Sequence, residues 1–209
     1  MVIPFIAVEG PIGVGKTSLT EALAQEFDYV ALHEIVDENP FLNKFYENIE
    51  EWSFQTEMFF LCNRYKQLGD IKKNALSENR PVVADYHIFK NLIFAKRTLQ
   101  EEEYEKYEEI YRILTRDVPM PNVIVYLTAS LEKLQERIEL RGRTFEQQID
   151  PNYLVQLTED YAQFMEQFER AHPEVPVLRF DGDAFDFVHS ESDCAHIVRE
   201  VKRVLEEKK

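Results

Sequence analysis

Gly10-Pro11-Ile12-Gly13-Val14-Gly15-Lys16-Thr17 is the stretch on which the fold of this chain turns. It satisfies G-x-x-x-x-G-K-[ST] at every position. Ahead of it, Pro4-Phe5-Ile6-Ala7-Val8 is an apolar run of strand length; behind it, Ser18-Leu19-Thr20-Glu21-Ala22-Leu23-Ala24 carries apolar residues at helical spacing. A strand, a glycine loop and a helix N-terminus together cradle phosphates, because backbone N–H groups point at oxygens and the helix dipole favours the anion. Lys16 then reaches the β- and γ-phosphates, and the Thr17 hydroxyl holds Mg²⁺. The segment Gly10, Pro11, Ile12, Gly13, Val14, Gly15, Lys16, Thr17 and Ser18 is therefore expected to bind a nucleoside triphosphate.

Working outward, short apolar runs recur at Phe5–Val8, Tyr29–His33, Pro81–Ala84, Val123–Leu127 and Val175–Phe180. Helical patterns fill the intervals, at Trp52–Asn79, Gln100–Asp117, Ser130–Leu140, Pro151–Ala171 and Asp193–Glu207. Strands alternating with helices predict an α/β fold, a five-stranded parallel sheet flanked by helices. No repeat or linker interrupts the chain, so one domain is expected over residues 1–209, with a lid at about 141–150. In such sheets ligands lie at the carboxyl ends of the strands. That draws notice to Gly10–Thr17, Glu34, Asp85 and the segment after Leu127.

Composition narrows the function. With 39 acidic and 24 basic residues among 209, the net charge is −15. Such a surface repels nucleic-acid polymers and anionic membranes, so a phosphate ligand needs a local cluster of positive charge. Hydrophobic residues at 44% and aromatics at 12% are those of a globular protein. Cys62 and Cys194 form no C-x-x-C pair, the five histidines lack metal-ligand spacing, and no run of eighteen apolar residues occurs. A cytoplasmic protein is expected.

Three acidic or basic features follow from the strand ends. Asp85 closes Pro81-Val82-Val83-Ala84, where a phosphate-loop protein meets Mg²⁺ with a carboxylate. Glu34 closes the second strand and is placed to accept a proton from a hydroxyl attacking the γ-phosphate, with Asp37 and Glu38 as rivals. Arg137 and Arg141 are four apart on one helix face, and Arg143 follows Gly142. Three guanidinium groups suit a clamp on a transferring phosphoryl group. Gly142 and Thr144 suit a closing lid.

Taken together, Gly10–Thr17, Glu34 with Asn39-Pro40, Trp52-Ser53-Phe54 with Arg64, and Arg141-Gly142-Arg143 resemble the deoxynucleoside kinases. The resemblance spans nearly the whole chain. Within the family, Trp52-Ser53-Phe54-Gln55 and Ala84-Asp85-Tyr86-His87 look most like the deoxyguanosine kinases of Gram-positive bacteria. It implies a homodimer, ATP as donor and transfer to a deoxyribose 5′-hydroxyl. It also implies Glu34 as general base, Tyr46 and Glu146 as 3′-hydroxyl partners, and Arg137, Arg141 and Arg143 as the clamp. Glu57, Arg64 and Asn91 fall at base-recognising positions, and Phe54, Phe59 and Phe89 are candidate walls of the base slot.

Two departures from the family pattern carry information. Many members have Asp/Glu-Arg-Ser where this chain has Asp85-Tyr86-His87, which leaves Lys90 or His87 to compensate for the arginine. Several relatives have glutamine where this chain has Glu57. Glu57 and Arg64 lie two helical turns apart on one face. An ionised carboxylate only accepts hydrogen bonds, and guanine offers N1–H and its 2-amino group side by side. Its O6 and N7 acceptors suit an arginine. The pair thus favours deoxyguanosine, unless a protonated Glu57 donates to adenine instead. The rival readings are a deoxyadenosine or broad purine deoxynucleoside kinase, a nucleoside monophosphate kinase, and a nucleotide-dependent switch. The last lacks N-K-x-D and D-x-x-G motifs.

Overall fold

Strand β1, Phe5–Glu9, is buried along its whole length, and β3, Val82–Ala84, likewise. Uninterrupted burial rather than alternation is what a parallel sheet covered on both faces demands. The computed structural model describes residues 3–207, so residues 1–2 and 208–209 of the expected domain span lie outside it. Its sheet is five-stranded and wholly parallel, in the order β2-β3-β1-β4-β5, with β2 at Val30–Leu32, β4 at Val123–Thr128 and β5 at Val177–Asp181. β1 lies in the middle, Ile6 beside Val83 on one side and Ala7 beside Ile124 on the other.

The period of two along each strand sorts the core into faces. Ile6, Val8, Val123 and Val125 pack with Leu19 and Leu23 of α1 (Lys16–Phe27) and Ile197 and Val201 of α8 (Glu191–Glu207). On the opposite face, Val82 and Ala84 meet Leu61 and Leu68 of α3 (Ile49–Asn74) and Tyr107 of α5 (Glu101–Thr115). There too, Ile124 and Tyr126 meet Ile93 of α4 (Lys90–Thr98) and Leu157, Tyr161 and Met165 of α7 (Pro151–Ala171). The remaining helices are α2 (Leu42–Glu47) and α6 (Leu131–Arg141), with 3₁₀ turns at Leu76–Glu78 and Thr144–Gln148.

All five expected strands are present. The long helix expected over Trp52–Asn79 starts earlier, at Ile49, because the Asn48 side chain accepts from the Glu51 N–H and caps it. It stops at Asn74, and the 3₁₀ turn that follows ends on Asn79 in the left-handed conformation. Helices α2 and α4 were not expected. α2 is under two turns long and shows no repeat. α4 buries Lys90, Asn91 and Thr98 as well as Ile93 and Ala95, so its inward face is partly polar and conceals the apolar period. Among the described residues no helix is long and apolar enough to cross a membrane.

Gly10 is the hinge between sheet and loop. Its φ is +147°, and a Cβ there would stand 2.4 Å from the Leu127 carbonyl oxygen of β4. Only glycine lets the loop leave β1 so close to its neighbour.

Candidate active site

The carboxyl ends of β1, β2 and β3 form the floor of a cleft of about 800 Å³, open mouth included. Asp85, just past β3, is the floor's joint. Its Oδ2 accepts from the Thr17 hydroxyl at 2.8 Å and its Oδ1 from the Glu34 N–H at 2.7 Å, tying the phosphate loop to the end of β2. A hydroxyl and a carboxylate converging beside Lys16 are the hard oxygen donors that Mg²⁺ prefers, so these residues fit the ion.

Glu34 stands over the floor between two buried cations. Arg64 of α3 donates to its Oε1 through Nε at 2.8 Å and through Nη2, and Lys90 of α4 donates to its Oε2 at 2.8 Å. Burial alone would raise its pKa; the Arg64 and Lys90 charges outweigh burial and hold it well below the usual carboxylate range. Glu34 is therefore a fixed anion, suited to orienting a hydroxyl and receiving its proton late rather than to deprotonating it in advance.

Of the two residues that stood to compensate for the missing arginine, Lys90 is the one that reaches Glu34. His87 turns away, its Nε2 lying 3.0 Å from the Pro119 carbonyl oxygen, and burial lowers its pKa to about 4. Glu9, the last residue of β1, had not been singled out. It is wholly buried and its Oε1 accepts from the His87 N–H at 2.5 Å. Burial raises its pKa to about 7 against the opposing pull of Lys90. A strand-ending acid next to the glycine loop was the available signal.

A second cleft opens on the outer side of the phosphate loop, lined by Gly13, Gly15, Ser18, Lys133, Arg137, Leu140, Val188 and His189. Lys16, Thr17, Arg141 and Arg143 line both clefts. The two cavities thus meet over the head of α1. Lys16 donates to the Gly10 and Pro11 carbonyls, and enclosure of its ammonium lowers its pKa to about 7. Arg137 lines the outer cleft but binds the Val14 and Gly182 carbonyls at 2.9 and 3.1 Å. In this structure it braces the loop, whereas Arg141 and Arg143 face both clefts.

The segment expected to form a lid packs against α2 beside the inner cleft. Arg141 donates to Glu146 Oε2 at 2.8 and 2.6 Å, and Arg143 lies 3.5 Å from Glu146 Oε1 and 3.4 Å from Asp37. Phe145 stacks on Tyr46 of α2, ring centres 6.2 Å apart and planes 4° off parallel. Glu146, Arg141 and Arg143 thus line the same cavity as Tyr46.

At the far end of that cavity the expectations hold in part. Glu57 and Arg64 both line it, as two turns of one helix require. Arg64, however, is engaged with Glu34 and, through Nη1, with Asn91 Oδ1 at 2.7 Å. Asn91 is wholly buried behind it, donating onward to the Tyr107 hydroxyl at 2.7 Å. Asn91 acts on the cavity through Arg64. Glu57 Oε2 is buried with no hydrogen-bond partner, and burial raises the Glu57 pKa to about 8 against the nearby Arg64 charge. The aromatic walls are corrected: Phe54 and Phe89 belong to the packed core and Phe59 packs with Phe60 beside α2. Phe45, Phe60, Phe94 and Phe145 line the cavity in their place.

The sequence matches the family model described as deoxynucleoside kinase over residues 6–206. It is 54% identical over 202 residues to a deoxyguanosine kinase of Bacillus subtilis (strain 168), covering 97% of this chain and 98% of that protein. It is 31% identical over 204 residues to a deoxyadenosine/deoxycytidine kinase of the same strain, covering 96% and 92%. Among solved structures, a deoxyadenosine kinase of M. mycoides shares the fold at a TM-score of 0.81 and 23% identity, over 95% of this chain and 99% of that one.

Proposed function

The chain belongs to the deoxynucleoside kinase family, and from that premise we propose that it transfers the γ-phosphoryl group of ATP to the 5′-hydroxyl of deoxyguanosine, giving dGMP. The observation that carries the reaction is the shared wall: Lys16, Thr17, Arg141 and Arg143 line both clefts, so a triphosphate in the outer one ends where a hydroxyl in the inner one begins. The exposed apolar side chains of Leu140 and Val188 suit the rim of the donor's base.

Phosphoryl transfer needs position and charge more than covalent help. Glu34, held by Arg64 and Lys90, orients the 5′-hydroxyl and takes its proton as the bond to phosphorus forms. Lys16, Arg141 and Arg143 neutralise charge on the phosphoryl oxygens. Thr17 and Asp85 would hold Mg²⁺, which when bound supplies further charge neutralisation at the phosphates. Tyr46 and Glu146, brought together by lid closure, meet the 3′-hydroxyl and favour a deoxyribose. Glu57 accepts from guanine N1–H and the 2-amino group, a reading supported by 54% identity to a deoxyguanosine kinase.

A second reading, a broad purine deoxynucleoside kinase, is favoured by one observation: a Glu57 whose pKa is about 8 carries a proton at neutral pH and can donate to adenine N1. We also propose a homodimer, with the exposed Tyr65 and Ile113 on α3 and α5 as apolar area for pairing. Steady-state assay of deoxyguanosine against dGMP as acceptor tests the assignment. Turnover of the nucleoside alone is expected, and preferential turnover of the monophosphate would overturn it.

A further inference from the structure

The 3₁₀ turn Thr144–Gln148 presents charge on one edge and an aromatic ring on another. Its short pitch sets Arg143 beside Glu146, the Glu146 N–H donating to the Arg143 carbonyl at 3.1 Å and the side chains 3.5 Å apart. Phe145, the residue before Glu146, lies against α2 instead. Its ring is partly exposed, stacks on Tyr46 with centres 6.2 Å apart, and packs with Leu42, Phe45 and Phe60. Phe45 in turn meets Tyr46 edge-on, ring centres 5.1 Å apart. Both separations are those at which aromatic pairs attract. The Tyr46 ring is thus fixed by two neighbours, one of them from the turn.

The turn's charged contacts do less to place it. Arg141 and Arg143 pair with Glu146 inside the same segment, and Arg143 lies 3.4 Å from Asp37, which is largely exposed and so holds weakly. Glu146 is 5% exposed and lines the inner cleft with Tyr46 and Phe145. As the next residue in the chain, it follows the Phe145 ring. Burial, with the Glu146 charge, raises the Tyr46 pKa above its usual value, so that hydroxyl keeps its proton. A sugar hydroxyl both donates and accepts, and a phenol with a carboxylate answers it on both counts. We propose that Phe145 is a positioning residue: by stacking on Tyr46 it sets Glu146 in register with the Tyr46 hydroxyl, so that the two meet one sugar hydroxyl together. This deepens the reading of the pair as 3′-hydroxyl partners and rests on it.

The test compares deoxyguanosine with 2′,3′-dideoxyguanosine, which lacks the 3′-hydroxyl, in wild type and three variants. Phe145→Ala removes the ring, Phe145→Leu keeps apolar bulk without the stack, and Phe145→Tyr keeps the ring. Wild type should prefer deoxyguanosine. In Phe145→Ala and Phe145→Leu that preference, as a ratio of kcat/KM values, should shrink by about three- to tenfold, the size of an aromatic pair. The loss should fall on deoxyguanosine, because the dideoxy analogue has no group for Tyr46 and Glu146 to meet. Phe145→Tyr should keep the wild-type ratio. A ratio unchanged in Phe145→Ala and Phe145→Leu, including an equal fall for both nucleosides, would mark a merely structural tie and overturn the proposal alone. No preference in wild type would overturn the 3′-hydroxyl reading and the proposal with it. If deoxyadenosine is the better substrate, the same ratio is read with 2′,3′-dideoxyadenosine.

Discussion

Lys90 Nζ stands 2.8 Å from Glu34 Oε2, reaching from the first residue of α4 to the carboxylate at the end of β2. Arg64 grips the other oxygen, so Glu34 is held from two sides in a nearly closed space. Both partners are buried, and each would cost the fold dearly if left alone; together they make Glu34 an anion at every working pH.

Lys90→Ala should therefore lower kcat by about a hundredfold or more, since a misplaced general base loses about that much. It should also raise the Glu34 pKa, because one of the two charges that lowers it is gone. The acid limb of the kcat/KM profile then moves to higher pH, and Lys90→Arg restores part of the rate. A wild-type profile in Lys90→Ala would show that Arg64 alone sets Glu34.

Glu57 gives a pH signature of opposite direction for two substrates. Its folded-state pKa is raised to about 8 by burial. The ionised form, needed for guanine, gains population as pH rises through that value. Between about pH 7 and 9, kcat/KM for deoxyguanosine should climb while that for deoxyadenosine falls, since kcat/KM reports the free enzyme's groups. Glu57→Gln should remove the selectivity slope and shift preference toward deoxyadenosine, because an amide both donates and accepts. Parallel profiles for the two nucleosides would exclude Glu57 from the base.

Gly10→Ala tests the loop's exit from the sheet. The added Cβ would meet the Leu127 carbonyl at 2.4 Å in a conformation closed to L side chains. A loss of about 3 kcal/mol or more is expected from clash and strain together. Chemical denaturation measures it, and wild-type stability would show that the loop leaves β1 by another path.

What the sequence made legible follows the physics of each feature. The phosphate loop depends on glycines and a lysine at fixed spacing, and Asp85 ends an apolar run; both are local patterns. Arg64 shares a helix face with Glu57, which spacing revealed, but its ion-pair partner lies thirty residues away at the end of β2. No periodicity reports such a meeting. Lys90 went undetected as part of a helix because α4 turns polar residues inward toward the site. Phe54 and Phe89 follow an aromatic spacing that serves the core, where apolar area is buried most fully.

Purified protein assayed with Mg²⁺–ATP against each deoxynucleoside and guanosine tests the central assignment most directly. Deoxyguanosine should be phosphorylated with a kcat/KM far above those of deoxyadenosine, deoxycytidine, thymidine and guanosine. Equal turnover of the two purine deoxynucleosides, or no turnover of any nucleoside, would contradict it.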